Sequence, residues 1–127
     1  MPFSAYLDQK LLEKVFLGVD FTIANRWVSL HTADPGKDGA NEASGAPYAR
    51  LAADSYTAVD DSGSAKRVRN VGALSFQVPV GTFTHVGLWD AVSGGNFLGG
   101  GALSAPAVMA QGDLVIVQAN DLVILQD

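Results

Sequence analysis

An alternation of side-chain types between Val80 and Leu103 is the clearest pattern in the chain, and it predicts a β-hairpin. Successive residues of a strand point to opposite faces, so the first arm should divide its side chains into two sets. One set is Phe83, His85, Gly87 and Trp89, and the other is Thr84, Val86 and Leu88. The segment from Asp90 to Asn96 predicts the turn, because Gly94 and Gly95 accept positive φ at little steric cost. Phe97 begins the return strand, and the glycines at 99–101 allow a bend or a close backbone approach.

A second pattern, near the start of the chain, predicts an amphipathic helix over about residues 4–18. Ser4 can cap its first turn, and Gly18 can end it in a left-handed conformation. Apolar residues recur between them at helical spacing. They are Leu7, Leu11, Leu12, Val15 and Phe16. We expect this helix to pack across one face or end of a sheet, or to dock on a neighbour in an assembled particle.

Shorter patterns predict further strands. The first lies at Arg26 to Thr32, with Trp27, Ser29 and His31 on one face and Val28 and Leu30 on the other. Less regular segments predict strands at Tyr48 to Leu51 and at Asp54 to Asp60, and a half-buried strand follows at 74–78. Near the end, the apolar runs Leu114 to Gln118 and Leu122 to Gln126 flank an Asn-Asp turn, which predicts a tight hairpin.

Together these elements predict a mainly β protein. The expected fold is an antiparallel β-sandwich or barrel-like domain over about residues 21–127, with one N-terminal α-helix, in a single domain of residues 1–127.

Between the first two strands, the segment from Ala33 to Pro47 is rich in Gly and Pro and too broken for regular structure. Loops of this length are usually functional or mobile, so this one is interpreted as a contact surface.

Composition narrows the choice of partners. The net charge of −5 argues against nucleic acid and anionic membranes, because both need a surplus of Lys and Arg. The sequence has no cysteine, which excludes disulfides and thiolate metal sites, and it shows neither an export signal nor a membrane span. With 48% hydrophobic and 17% charged residues, the chain is globular, and some apolar surface is expected to meet a partner.

Candidate catalytic or metal-binding chemistry is sparse. His31 and His85 would form a two-histidine site only if their strands were adjacent; the alternative is that each bonds a backbone carbonyl. The acidic loop at 34–39 does not fit the calcium-binding pattern, and Lys37 would add a positive charge to it. No catalytic set can be assembled, so we expect no enzyme, no metal and no cofactor.

Two longer motifs resemble those of a known family. The first comprises LHTADPG at 30–36, NE-x-SG at 41–45 and YAR at 48–50. The second is THVGLWDA-x-SGGN at 84–96, followed by GAL at 101–103. Together with the N-terminal helix they resemble a family of small structural proteins of tailed bacteriophages, commonly labelled tail-fibre or minor virion proteins. The resemblance covers most of the chain.

The resemblance implies a virion structural protein that is made in the cytoplasm of the host bacterium. The leading hypothesis is a capsid decoration (cement) protein, a homo-oligomer such as a trimer, bound to the major capsid protein. The alternative is a tail fibre or baseplate accessory that contacts other tail proteins or the host surface, where Tyr48 or Trp89 would stack on glycan. The residues expected to contact a partner are Asp34, Pro35, Gly36, Asn41, Glu42, Tyr48, Arg50, Leu11 and Phe16.

Overall fold

The structure, a computed structural model, describes residues 3–63 and 65–126. Within these ranges, one helix precedes nine strands, and the helix is too short to cross a membrane. The elements are α1 (Ala5–Leu17), β1 (Trp27–His31), β2 (Leu51–Ala52), β3 (Asp60–Asp61), β4 (Lys66–Arg69), β5 (Leu74–Gln77), β6 (Gly81–Trp89), β7 (Phe97–Met109), β8 (Leu114–Val117) and β9 (Val123–Gln126). The predicted mainly β fold with an N-terminal helix is confirmed.

Both predicted ends of the helix are confirmed. Ser4 Oγ accepts a hydrogen bond from the Leu7 N–H at 3.0 Å, which satisfies one of the free donors of the first turn. At the other end Gly18 takes a φ of 68°, and the Val19 N–H donates to the Glu13 carbonyl. These two local signals therefore set where α1 begins and ends.

The central sheet has the strand order β2-β1-β6-β7, and every pairing in it is antiparallel. The predicted hairpin forms its β6 and β7, and Asp90 N–H donates to the Asn96 carbonyl across the turn. In the adjacent pair, Trp27 lies opposite Trp89 and His31 lies opposite His85. This register fixes which side chains share a face of the sheet.

The hydrophobic core lies on one side of this sheet. As predicted for β1, Val28 and Leu30 point into it. They join Val86 and Leu88 of β6 and the alternate residues of β5 and β8, whose outward positions are exposed. Two smaller antiparallel sheets, β3-β4-β9 and β5-β8, complete a sandwich-like arrangement that does not close into a barrel.

The predicted alternation in β6 is wrong at one position. The register with β7 shifts between Phe83 and His85, and Phe83 joins the core with Val86 rather than the face that carries His85. A bulge inserts extra residues into one strand and so reverses the faces on either side of it. The return strand is also longer than expected, since β7 continues to Met109.

The predicted C-terminal hairpin is wrong, although its turn is correct. Asn120 has a positive φ of 69° and the Asp121 N–H donates to the Gln118 carbonyl, as a tight turn requires. The two flanking strands nevertheless separate: β8 pairs with β5, and β9 pairs with β4. Local turn chemistry set the direction of the chain, but partners distant in sequence set the pairing.

A buried asparagine explains this divergence. Asn70 is 1% exposed; its Nδ2 donates to the Gly72 and Gln118 carbonyls at 2.7 and 3.1 Å, and its Oδ1 accepts from the Leu122 N–H at 2.9 Å. These bonds hold both ends of the turn against the segment that joins β4 to β5. Gln118 and Leu122 therefore bond to the Asn70 side chain, whereas in a hairpin these residues would form backbone hydrogen bonds between the two strands.

The middle of the chain has less regular structure than predicted. The strand expected at Tyr48 to Leu51 is only β2, which begins at Leu51, and the one expected at Asp54 to Asp60 reduces to β3 and one isolated bridge at Tyr56. The predictions for β1 and β5 are confirmed to within a residue or two at each end.

Replacing Asn70 tests the role given to its side chain. In Asn70→Ala the Leu122 N–H and the Gly72 carbonyl lose this partner, and the Gln118 carbonyl keeps only the Asp121 N–H, so we expect a loss of about 3 kcal/mol in the free energy of unfolding. Gln111→Ala is the matched control, because it removes an exposed amide that bonds only the Ala46 carbonyl. Urea denaturation measures both; equal midpoints for the two variants would contradict this role.

Candidate functional site

The second face of the central sheet is covered by the segment 33–47, here called the covering loop. Its backbone joins the sheet edge: Ala43 N–H donates to the Leu30 carbonyl at 2.8 Å, and Thr32 N–H donates to the Asn41 carbonyl at 3.0 Å. Pro35, which belongs to the loop, is fully buried against the sheet. The loop is irregular, as predicted, and it packs on the sheet mainly at Pro35 and Ala43.

A chain of hydrogen bonds runs under the covering loop. Trp89 Nε1–H donates to Ser29 Oγ at 2.9 Å, and Ser29 Oγ–H donates to His31 Nε2 at 2.7 Å. His31 Nδ1–H then donates to the Ala40 carbonyl of the loop at 2.8 Å. Because a carbonyl can only accept, the bond to Ala40 assigns the proton to Nδ1 and leaves Nε2 as the acceptor.

The sheet accommodates the loop at positions without side chains. A Cβ on Gly100 would lie 2.5 Å from Pro35 Cγ, and one on Gly39 would lie 2.7 Å from the Trp89 ring. On Gly87 it would lie 2.6 Å from His31 Nε2. Of the glycines at 99–101, which were predicted to allow a bend or a close backbone approach, Gly100 is in close contact with the loop. The close approaches at Gly39 and Gly87 were not predicted.

Arg50 joins the covering loop to the β6–β7 turn. Its Nε and Nη2 donate to the two carboxylate oxygens of Glu42, each at 2.8 Å, and its Nη1 donates to the Ala91 and Gly94 carbonyls. The guanidinium also lies 3.8 Å from the centre of the Trp89 ring. Its side chain is 6% exposed, so these contacts are largely shielded from water.

The pKa values of His31 and Glu42 are both lowered. Burial lowers the pKa of His31, and the bond to Ala40 only partly offsets this effect. For Glu42, burial acts to raise the pKa, but the hydrogen bonds from Arg50 and Tyr48 outweigh it and hold the pKa of that carboxyl below its ordinary value. The site therefore favours a neutral imidazole and an ionised carboxylate.

This geometry decides between the alternatives for the histidines. His31 and His85 are opposite each other on adjacent strands, as a two-histidine site requires. Both ring nitrogens of His31 are already engaged, while His85 Nδ1 bonds Thr84 Oγ1 at 2.7 Å rather than a carbonyl. Among residues 3–63 and 65–126, no three acidic, histidine or cysteine side chains form a group that could hold a metal ion.

The residues predicted to contact a partner are in different environments. Pro35 and Arg50 are buried, while Glu42 and Tyr48 are half-buried and bond each other at 2.7 Å. Three are exposed on the covering loop: Asp34, Gly36 and Asn41. On α1, Leu11 is half-buried and Phe16 is 75% exposed. The structure brings Glu42 and Tyr48 together with Arg50.

The aromatic residues proposed for glycan stacking are engaged inside the protein. Trp89 packs against Phe97 at 5.1 Å between ring centroids and beneath the Arg50 guanidinium. Tyr48 stacks on Phe76, and its hydroxyl also accepts a hydrogen bond from the Leu30 N–H. Internal contacts therefore occupy at least one face of each ring, which leaves less of it for stacking on a sugar.

The C-terminal part of α1 carries exposed apolar side chains, and the sequence pattern alone did not predict this exposure. The first turn is tied down, with the Ser4 N–H donating to the Leu98 carbonyl and Lys37 Nζ bonding Asp8, but residues 14–20 are all exposed. Leu12, Phe16 and Leu17 are 60%, 75% and 74% exposed. The helical spacing predicted an apolar stripe correctly; only the structure shows that Leu12, Val15 and Phe16 of this stripe stay largely exposed.

Removing the guanidinium group tests the structural role of Arg50. In Arg50→Ala the Glu42 carboxylate keeps its charge without its main partner, so we expect a loss of about 4 kcal/mol in the free energy of unfolding. Arg67→Ala is the control, because it removes an arginine that pairs with Asp60 at the surface, and its effect should be much smaller. Similar losses in the two variants would contradict the structural role of Arg50.

The lowered pKa of His31 predicts a pH-dependent stability. The unfolded chain takes up a proton below the ordinary value of 6.5 while the folded chain resists it. Stability should therefore be complete above that pH and fall as the pH drops through 6.5 toward the folded pKa. Denaturation at pH values from about 7.5 to 5.5 measures this. His31→Gln should flatten the profile; an unchanged slope would contradict the assignment.

One family of known proteins is similar to this chain along almost its whole length. The family model described as Podophage GP4 fiber I protein gp80 matches residues 2–125. No curated protein matches the chain. The family match confirms the resemblance to a bacteriophage structural family; it concerns the chain as a whole and not the individual motifs. Because it covers nearly every residue, this protein belongs to the podophage GP4 fiber I protein gp80 family, and so to the fibre-type structural proteins of bacteriophages.

Proposed function

We propose that this protein is a non-enzymatic subunit of a phage tail-fibre assembly and that it is held in the particle through the exposed end of α1. The family assignment supports a virion-associated fibre protein. The observation that carries the proposal is the apolar helix end, where Leu12, Phe16 and Leu17 stay largely exposed although the helix is fully formed. Contiguous apolar surface of this kind is typical of an interaction site.

The helix end has enough apolar surface to support binding. Complete burial of one Leu or Phe side chain contributes about 1.5–3 kcal/mol. Leu12, Val15, Phe16 and Leu17 together therefore supply several kcal/mol before the cost of association is subtracted. A single contact of this size is weak, but many copies fixed in one particle reinforce each other.

The covering loop is less suited to be the main contact. Its buried apolar members, Pro35 and Ala43, face the sheet. Two of its exposed side chains bond within the loop: Asp34 Oδ1 accepts from the Gly36 N–H, and Asn41 Nδ2 donates to the Asp34 carbonyl. Shortening this loop would remove Glu42 or the Ala40 carbonyl and so destabilise the fold itself. Asp34, Gly36 and Asn41 are better candidates for polar contacts at the rim of an interface.

Capsid decoration is the second candidate. It is supported by the low charged fraction of 17%, which suits a subunit buried against a repeating shell, and it would use the same helix end against the major capsid protein. The two candidates differ in number of copies. Quantitative mass spectrometry of purified particles should find few copies relative to the major capsid protein if the protein belongs to the tail, whereas hundreds would overturn the fibre proposal in favour of decoration.

Incorporation into particles tests the helix end directly. Phage lacking this gene is complemented with wild-type chain, with Leu12→Gln/Phe16→Gln or with Val80→Gln. Val80 is a matched control because it is 73% exposed but lies at the opposite end of β6 from α1. The double variant should reduce copies per particle roughly tenfold or more, since about 1.4 kcal/mol corresponds to tenfold in affinity. Normal incorporation would contradict the proposal.

A further inference from the structure

The exposed end of α1 is a folded element with defined ends. Its last turn is closed by the Val19-to-Glu13 hydrogen bond, and Lys14 pairs with Asp20 beyond it. The first turn is fixed to Leu98 and Lys37. The helix therefore presents a prearranged surface, so that binding to it requires little ordering of the backbone.

The shape of this surface suits another helix. Leu12, Val15 and Phe16 stand at positions i, i+3 and i+4, the spacing that forms a ridge along one side of a helix. Beside the ridge runs a shallow groove. It is lined by Ala5, Asp8, Gln9, Leu12, Glu13, Phe16 and Leu17. A ridge next to a groove is complementary to the same pair of features on a second helix.

Charge favours a second copy as the partner. The sequence carries no Lys or Arg after Arg69, so every charged side chain beyond that residue is an aspartate. Two copies brought together through this part of the chain would repel each other. On α1, by contrast, Asp8 and Glu13 balance Lys10 and Lys14. Two copies of this helix can meet without net repulsion, despite the charge of −5 on each chain.

From these observations we infer that the partner of the α1 end is the α1 end of a second copy, so that the protein associates with itself through packed helices. This rests on the proposed role of the helix end in assembly. Leu12 and Phe16 supply the buried centre of the contact, and the balanced charges of the helix form its rim. The covering loop and Arg50 stay outside the contact and keep each protomer folded.

The mass of the purified full-length chain in solution tests this inference. Light scattering after gel filtration should give a multiple of the 13.2 kDa of one chain. Leu12→Gln/Phe16→Gln should weaken association roughly 100-fold or more and give the monomer mass, because both anchors of the contact are lost. Val80→Gln should keep the wild-type mass. Both altered positions of the double variant are exposed, so circular dichroism and the unfolding midpoint should remain close to wild type.

Two outcomes would overturn the inference. The first is a wild-type chain that stays monomeric at the highest concentrations reached. If incorporation into particles still depends on Phe16 in that case, the helix end binds a different virion protein, and the proposed function stands while self-association fails. The second is an assembled double variant with an intact fold.

Discussion

One guanidinium group, that of Arg50, joins the parts of this structure that regular hydrogen bonding leaves apart. It pairs with Glu42 of the covering loop, donates to Ala91 and Gly94 of the β6–β7 turn and lies on the Trp89 ring. A half-buried carboxylate and two turn carbonyls would otherwise lack these donors. The planar fork of arginine satisfies all of them at once, which the single ammonium group of lysine cannot do.

Arg50 also relates the two motifs that first suggested a phage structural protein. Glu42 and Arg50 come from the first motif, and Trp89, Ala91 and Gly94 come from the second. Under the same loop His31 bonds Ser29 and Ala40, and Pro35 fills the space above Gly100. These residues bond and pack against one another, so their common role is to build the fold. Under the proposed function, contact with a partner therefore falls to other surfaces, such as the exposed apolar end of α1.

Sequence reasoning succeeded where the signal is local. The caps of α1, the β6–β7 turn and the inward residues of β1 and β5 follow from side-chain spacing and turn chemistry alone. It failed where contacts distant in sequence decide. The Asn-Asp turn predicted a hairpin, but Asn70, about 50 residues earlier, directs β8 and β9 to different sheets.

The candidate site could be predicted only in part for the same reason. The sequence predicted Glu42, Tyr48 and Arg50 as partner contacts and gave no sign that they bond one another, because these bonds depend on the path of the loop, which Gly- and Pro-rich sequence leaves open. Ser29 and Trp89 were assigned to the correct face without any sign that they bond His31 in series. The stripe on α1 was visible in the sequence, whereas its exposure depends on how far the helix extends past the sheet.

Hydroxyl-radical footprinting of the free protein and of intact particles would test the central claim most directly. The account predicts that Leu12, Phe16 and Leu17, largely exposed in the single chain, become protected in the particle, while Val80 and the outer side of the covering loop keep their reactivity. Unchanged oxidation of Phe16, with protection concentrated at 34–41 instead, would contradict it and return the covering loop to the role of main contact.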